Sequence, residues 1–287
     1  MAFIALAAIL MPRAATADME LTVGAPASLA GAAERVERID RQQLTRALGD
    51  AGLDVPLRVH VTLIAEGDRR ARAIPAWIVG RAFPPHDVVL FPGRLVASYP
   101  YDSIESVVRH EVVHLALAAR AEGQPLPRWF HEGVAVSVES GWGVTDGARL
   151  LLAIAREPAI GEVERLFGSD AHQQTTRAYL LAAVLVTDVR RRHGGDVAGA
   201  IAGRVASGAP FSRAFELETG ETPDAAAARA WQTYRRWTVW IPVVTSGSAV
   251  WLGILALAIL AFVASLRRRI RRRRQWDEED EALDEHG

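Results

Sequence analysis

The sequence predicts an α+β chain with a small N-terminal sheet, a helical C-terminal half and, after these, one transmembrane helix. Three observations predict it. Residues 57–64, 77–83 and 87–91 are short apolar or alternating runs of strand length. After Glu132, Gly and Pro signals divide the chain into segments of helical length. Residues 241–266 are apolar without one charge, long enough to span a hydrocarbon core of ~30 Å. At 287 residues, 50% hydrophobic and 23% charged, the chain can bury a full core as one large or two small domains. It has no Cys, so disulfides are excluded, and every Lys/Arg position is Arg, which reads as compositional bias. The net charge of −1 hides opposite charges segregated at the C-terminus.

Taken in order, residues 1–11 form an apolar run, followed by Pro12-Arg13 and the small-x-small triplet Ala15-Thr16-Ala17. This predicts a signal peptide over 1–17, cleaved after Ala17, although no Arg or Lys precedes the apolar run. Residues 25–52 read as helix, with Leu29, Val36, Ile39, Leu44 and Leu48 at near-helical spacing and Gly49 and Gly52 at its end. Residues 57–64 then predict a half-buried strand with His60 on its polar face. The runs 77–83 and 87–91 predict a hairpin joined at Pro84-Pro85-His86. A helix begins near Asp102 or Ser103, either of which suits the N-cap, with Glu105 in the first turn. Its apolarity on all sides, through Ile104, Val107, Val108, Val112, Leu115 and Ala118, predicts a place in the domain centre. Further helices are expected near 147–156, 160–167, 175–193, 196–207, 210–218 and 223–237. Arg190-Arg191-Arg192 suits the negative C-terminal pole of one of them, and His172 and His193 read as surface residues.

The most specific chemistry lies in His110-Glu111-Val112-Val113-His114. Positions i and i+4 of a helix lie one above the other, so His110 and His114 can address one metal ion. Zinc suits imidazole nitrogen and takes three protein ligands in catalytic sites; Glu111 is then placed as general base. The third ligand is expected from a helix packed nearby. Pro127 is a helix-start signal, and Glu132 falls early in the helix it opens. His131 is the rival ligand, but it points roughly 100° away from Glu132 around a helix, which favours a substrate-side or exposed position.

These two stretches, Arg109-His110-Glu111-Val112-Val113-His114-Leu115 and Leu126-Pro127-Arg128-Trp129-Phe130-His131-Glu132-Gly133-Val134-Ala135, resemble the gluzincin zinc metallopeptidases, and within them the peptidase MA-like family. The resemblance runs loosely from Leu57 to Trp237. It implies a zincin-like fold, Zn2+ as cofactor, His110, His114 and Glu132 as ligands and Glu111 as base. It also implies that a strand of the hairpin edges the cleft and holds the substrate backbone by strand addition. Tyr179 opens the long helix, and related gluzincins use a Tyr or His to stabilise the oxyanion, so Tyr179 is a second catalytic candidate beside a plain core role. The Gly-x-Met-Glu-Asn motif by which related aminopeptidases hold a free amino terminus is missing, which favours an endopeptidase.

Trp237 and Trp240 stand at one border of the apolar run 241–266 and Arg267 to Arg274, interrupted by Ile270, at the other, an aromatic belt and a positive-inside flank. The Arg cluster reads as a topology signal touching anionic lipid rather than a nucleic-acid site. The expected organisation is therefore an extracytoplasmic peptidase domain over 18–237, a membrane helix over 241–266, and a cytoplasmic Arg-rich flank and acidic tail over 267–287. The expected function is a membrane-anchored zinc endopeptidase whose substrate is a protein or peptide near that surface. The rival readings are a zinc-binding pseudoenzyme and a membrane-tethered adaptor that holds a protein partner in the cleft.

Overall fold

The structure is a computed structural model that describes residues 19–96, 101–139, 157–169 and 172–245, and shorter runs between 251 and 267. The chain divides into two units, 1–232 and 233–287, and the sheet and the motif residues belong to the first. The expected signal peptide, the helix expected near 147–156 and nearly all of the flank and tail over 267–287 lie outside the described residues.

The alternation at 57–64 becomes a strand whose Val59, Val61 and Leu63 are buried while Arg58 and His60 are exposed. Four strands form one mixed sheet in the order β1-β2-β4-β3. They are β1 (Glu20–Gly24), β2 (Arg58–Leu63), β3 (Gly80–Phe83) and β4 (Asp87–Leu90). β1 and β4 flank β2 in parallel, and β3 closes the expected hairpin antiparallel to β4, leaving β3 at the edge. A parallel β1–β2 pair needs a crossover. It is supplied by α1 (Ala30–Glu37) and α2 (Arg41–Asp50). The single helix expected over 25–52 is thus two, because Asp40 leaves helical geometry and its carboxylate accepts the Gln43 N–H at 2.9 Å, capping α2. The short α3 (Arg69–Arg72) precedes the hairpin.

The motif helix, α4 (Ile104–Arg120), starts where expected, with Ser103 as the N-cap. Ser103 Oγ accepts the Ser106 N–H at 3.1 Å, and Ser106 Oγ in turn accepts the Ser103 N–H at 3.2 Å, so two orphan donors are satisfied reciprocally. Most of its apolar residues are buried, Ala118 only partly, as it packs on β3, β4 and the next helix, α5 (Arg128–Glu139). The helical half continues through α6 (Ile160–Leu166), α7 (His172–His193), α8 (Val197–Ala206), α9 (Phe211–Thr219) and α10 (Pro223–Thr245). α5 lies along α7, whose Leu181, Ala182, Ala183, Val184 and Leu185 are wholly buried.

The α+β expectation holds for the sheet and helices, but its closing transmembrane helix must be corrected. Among the described residues no helix is long and apolar enough to cross a membrane. α10 contains only 241–245 of the apolar run, at the end of a helix whose earlier turns carry Asp224, Arg229, Arg235 and Arg236.

Candidate metal centre

Two helices with independent anchors build the centre. α4 carries His110 and Glu111 at 0% and 4% exposure, with His114 one turn on. The His110 and His114 rings meet edge to face with centroids 4.6 Å apart, as side chains at i and i+4 should. On the sheet side Gly80 brings β3 close. A Cβ there would stand 2.6 Å from Val107 Cγ1 and 2.9 Å from Glu111 Oε1, so only glycine lets the edge strand lie against the motif helix. The Ala82 backbone N–H then donates to the Glu111 carboxylate.

α5 is held at both ends of its first turns. The Glu164 carboxylate of α6 accepts the N–H groups of Arg128 and Trp129 at 3.0 and 2.9 Å, an anion at a helix N-terminus. Trp129 and Phe130 pack edge to face on each other and against Phe211 of α9. Gly133 then permits a close crossing with α7, since a Cβ there would meet Ala182 O at 2.6 Å and Val186 Cγ2 at 2.7 Å. Fixed in this way, α5 aims Glu132 at the two histidines.

Glu132 Oε2 lies 3.2 Å from His110 Nε2 and 3.5 Å from His114 Nε2. One donor atom from each of the three residues falls within 4.8 Å of the others, an arrangement that could hold a metal ion. Burial pushes the Glu132 carboxyl up, but its hydrogen bonds to His110 and His114 and their charge outweigh it and hold it well below the usual range. Glu132 Oε1 also faces Arg128 Nε at 3.6 Å. Glu111 behaves oppositely. Burial raises it to about 7, helped by the charge of Glu132 and opposed by His114, the Ala82 N–H and Arg81.

Two phenols complete the surroundings. Tyr179 of α7 packs its ring 6.3 Å from His110 and 5.3 Å from Phe167, and Tyr101 sets its ring edge to face on His110 at 5.1 Å. Both titrate well above the ordinary tyrosine value, chiefly through burial and also through the charges of Glu111 and Glu132, and their hydroxyls hydrogen-bond to each other. His110 Nδ1 is buried with no hydrogen-bond partner among the described residues.

All five residues singled out in the sequence, His110, Glu111, His114, Glu132 and Tyr179, therefore converge. His131, expected at an exposed or substrate-side position, is half-buried rather than exposed. It is turned onto His114, with its Nδ1 2.6 Å from His114 Nδ1. Tyr101, Gly80 and Glu164 escaped the sequence reading, because their partners lie on other elements and no local spacing marks them. His60 stays away from the centre, on the exposed side of β2 beside Thr22. Comparison with known protein families, with curated proteins and with solved structures finds no match to this chain.

Proposed function

We propose that the chain is a zinc-dependent metallopeptidase of gluzincin type, acting as an endopeptidase on a protein or peptide substrate. The observation that carries the reading is the convergence of His110, His114 and Glu132 beside a buried Glu111. Three ligands at zinc's usual bond lengths in a tetrahedron stand about 3.3 Å from one another. The 3.2 and 3.5 Å separations of Glu132 from the two imidazoles fit that spacing. Two imidazoles and one carboxylate are also a donor set zinc favours, with a fourth position left open for catalysis.

Bound there, zinc would supply a Lewis acid that polarises a carbonyl and makes water easier to deprotonate. The protein's own residues divide the remaining work. Glu111, with its carboxyl raised to about 7, is suited to take a proton from water near neutral pH and return it to the leaving amine. Gly80 and the Ala82 N–H keep that carboxylate in place. The Tyr179 hydroxyl, which stays protonated, is the donor for charge developing on the carbonyl oxygen. Backbone alternation supports a place for the substrate. Phe91 N–H bonds to Val79 C=O at 2.8 Å, so the residue pairs at 79, 81 and 83 face β4 while Gly80 and Ala82 face the open edge of β3. A peptide added there would pair with Gly80 and with the Ala82 carbonyl.

The test is zinc content and peptide cleavage by the purified full chain beside its His110→Ala, Glu132→Ala and Glu111→Gln variants. About one zinc per chain is expected in the wild type, lost in the first two variants and kept in the third. Glu111→Gln should cleave a peptide mixture roughly 10²–10⁴-fold more slowly. Zinc without cleavage in the wild type would mark a pseudoenzyme, and a wild type without zinc would leave the adaptor reading.

A further inference from the structure

A pair of imidazoles bridges the two site helices. His114 belongs to α4 and His131 to the first turn of α5, and their rings meet with centroids 4.5 Å apart and planes inclined at 30°. Their Nδ1 atoms are 2.6 Å apart. Two facing ring nitrogens can hold one proton between them, so one imidazole must donate and the other accept. The other nitrogen of His114 decides which. Its Nε2 is the atom that faces Glu132 in the donor cluster, and a neutral imidazole that offers Nε2 to a metal must carry its proton on Nδ1.

We infer that His131 is a positioning residue for the metal centre: its Nδ1 accepts the Nδ1–H of His114, fixing the tautomer and ring angle that present His114 Nε2 to the metal. The inference rests on the metal-site reading above. It leaves His131 itself with its proton on Nε2. The two histidine ligands are then unequally braced, because His110 Nδ1 has no hydrogen-bond partner among the described residues and that ring is held by packing against Tyr101 and Tyr179. Outer partners of this kind orient a ligand and raise its basicity, and their loss typically weakens metal binding 10- to 100-fold.

The experiment compares zinc affinity, by competition with a chromophoric chelator, in the full-length wild type, His131→Leu and His131→Asn. An Asn carboxamide oxygen stands roughly where the imidazole Nδ1 stood and can accept the same proton, whereas Leu fills the space and cannot. His131→Leu should weaken zinc binding about 10- to 100-fold, and His131→Asn should stay within about threefold of wild type. In the zinc-loaded wild type, ¹⁵N shifts should report a proton on Nδ1 of His114 and on Nε2 of His131, a readout that does not depend on either variant folding. Tight zinc binding by His131→Leu, equal damage in both variants, or the opposite tautomers would overturn the inference while leaving the metal site standing. A wild type that binds no zinc would overturn both.

Discussion

At the scale of single residues, the chemistry of the centre comes from putting unlike environments a few ångströms apart. Glu132 and Glu111 are both carboxylates in a buried site. One is held ionised by two imidazoles, and the other is raised to about 7 because burial outweighs the charge of His114 and its single backbone donor. Under the proposed function, that split is what would separate a ligand from a base. Tyr179 provides the residue-scale prediction. If its hydroxyl stabilises developing charge, Tyr179→Phe should lower kcat roughly 10²–10³-fold with KM changed far less, while zinc content holds. A kcat equal to wild type would return Tyr179 to a core anchor packed on Phe167. The placement of His110, Glu111 and His114 was open to sequence reading because i and i+4 spacing is local. The turning of His131 onto His114 was not, since it depends on how α5 crosses α4.

At the scale of elements, two glycines decide how closely the helices and the edge strand can approach. Gly133 follows the proposed ligand Glu132 directly, and the nearest obstacle to a side chain there is backbone, the Ala182 carbonyl at 2.6 Å. Gly133→Ala must therefore push α5 off α7, since backbone cannot swing aside as a flexible side chain would. Overpacking of this sort costs about 1–3 kcal/mol, and urea denaturation of the metal-free protein should show it. A variant as stable as wild type would mean the two helices have room to separate. The N-terminal crossover illustrates the limit of periodicity. Val36, Ile39, Leu44 and Leu48 are all buried as their spacing predicts, yet the helix breaks at Asp40. Burial spacing is insensitive to such a break, whereas the capping preference of Asp is the physical cause of it.

At the scale of the whole molecule, net stability should depend on pH through a carboxylate outside the metal centre. Glu139, at the end of α5, has a side chain only 3% exposed, and Arg109 stands 3.9 Å from it. Burial raises it to about 8, with Asp102 adding to the rise and Arg109 opposing it. Its ordinary value is 4.5, so between 4.5 and 8 the folded chain holds a proton that the unfolded chain has released. Stability from this group is fully present below 4.5 and falls as pH rises to 8. Glu139→Gln should flatten that slope and, at pH 9, leave the protein more stable than wild type by roughly 1–3 kcal/mol. Thermal melts of both proteins from pH 4.5 to 9 would check it, and a less stable variant at pH 9 would contradict it. The same scale corrects the C-terminal expectation, for a charge-free stretch in the sequence does not make one continuous spanning helix among the described residues.

By itself the sequence determined the local patterns: the period-2 burial of β2, the capped and largely buried α4, and the histidine pair one turn apart. Each depends on contacts within a few residues, where helix and strand periods act directly. Only the tertiary structure decided that β1 joins the sheet, that Gly80 and the Ala82 N–H reach Glu111, that Tyr101 joins Tyr179 beside His110, and that His131 faces His114. These contacts join residues of different strands and helices. The last exists because α5 packs between α4 and α7, the others because β1, β3 and Tyr101 meet partners distant along the chain, and no spacing in the sequence encodes such approaches or the angle at which two helices cross.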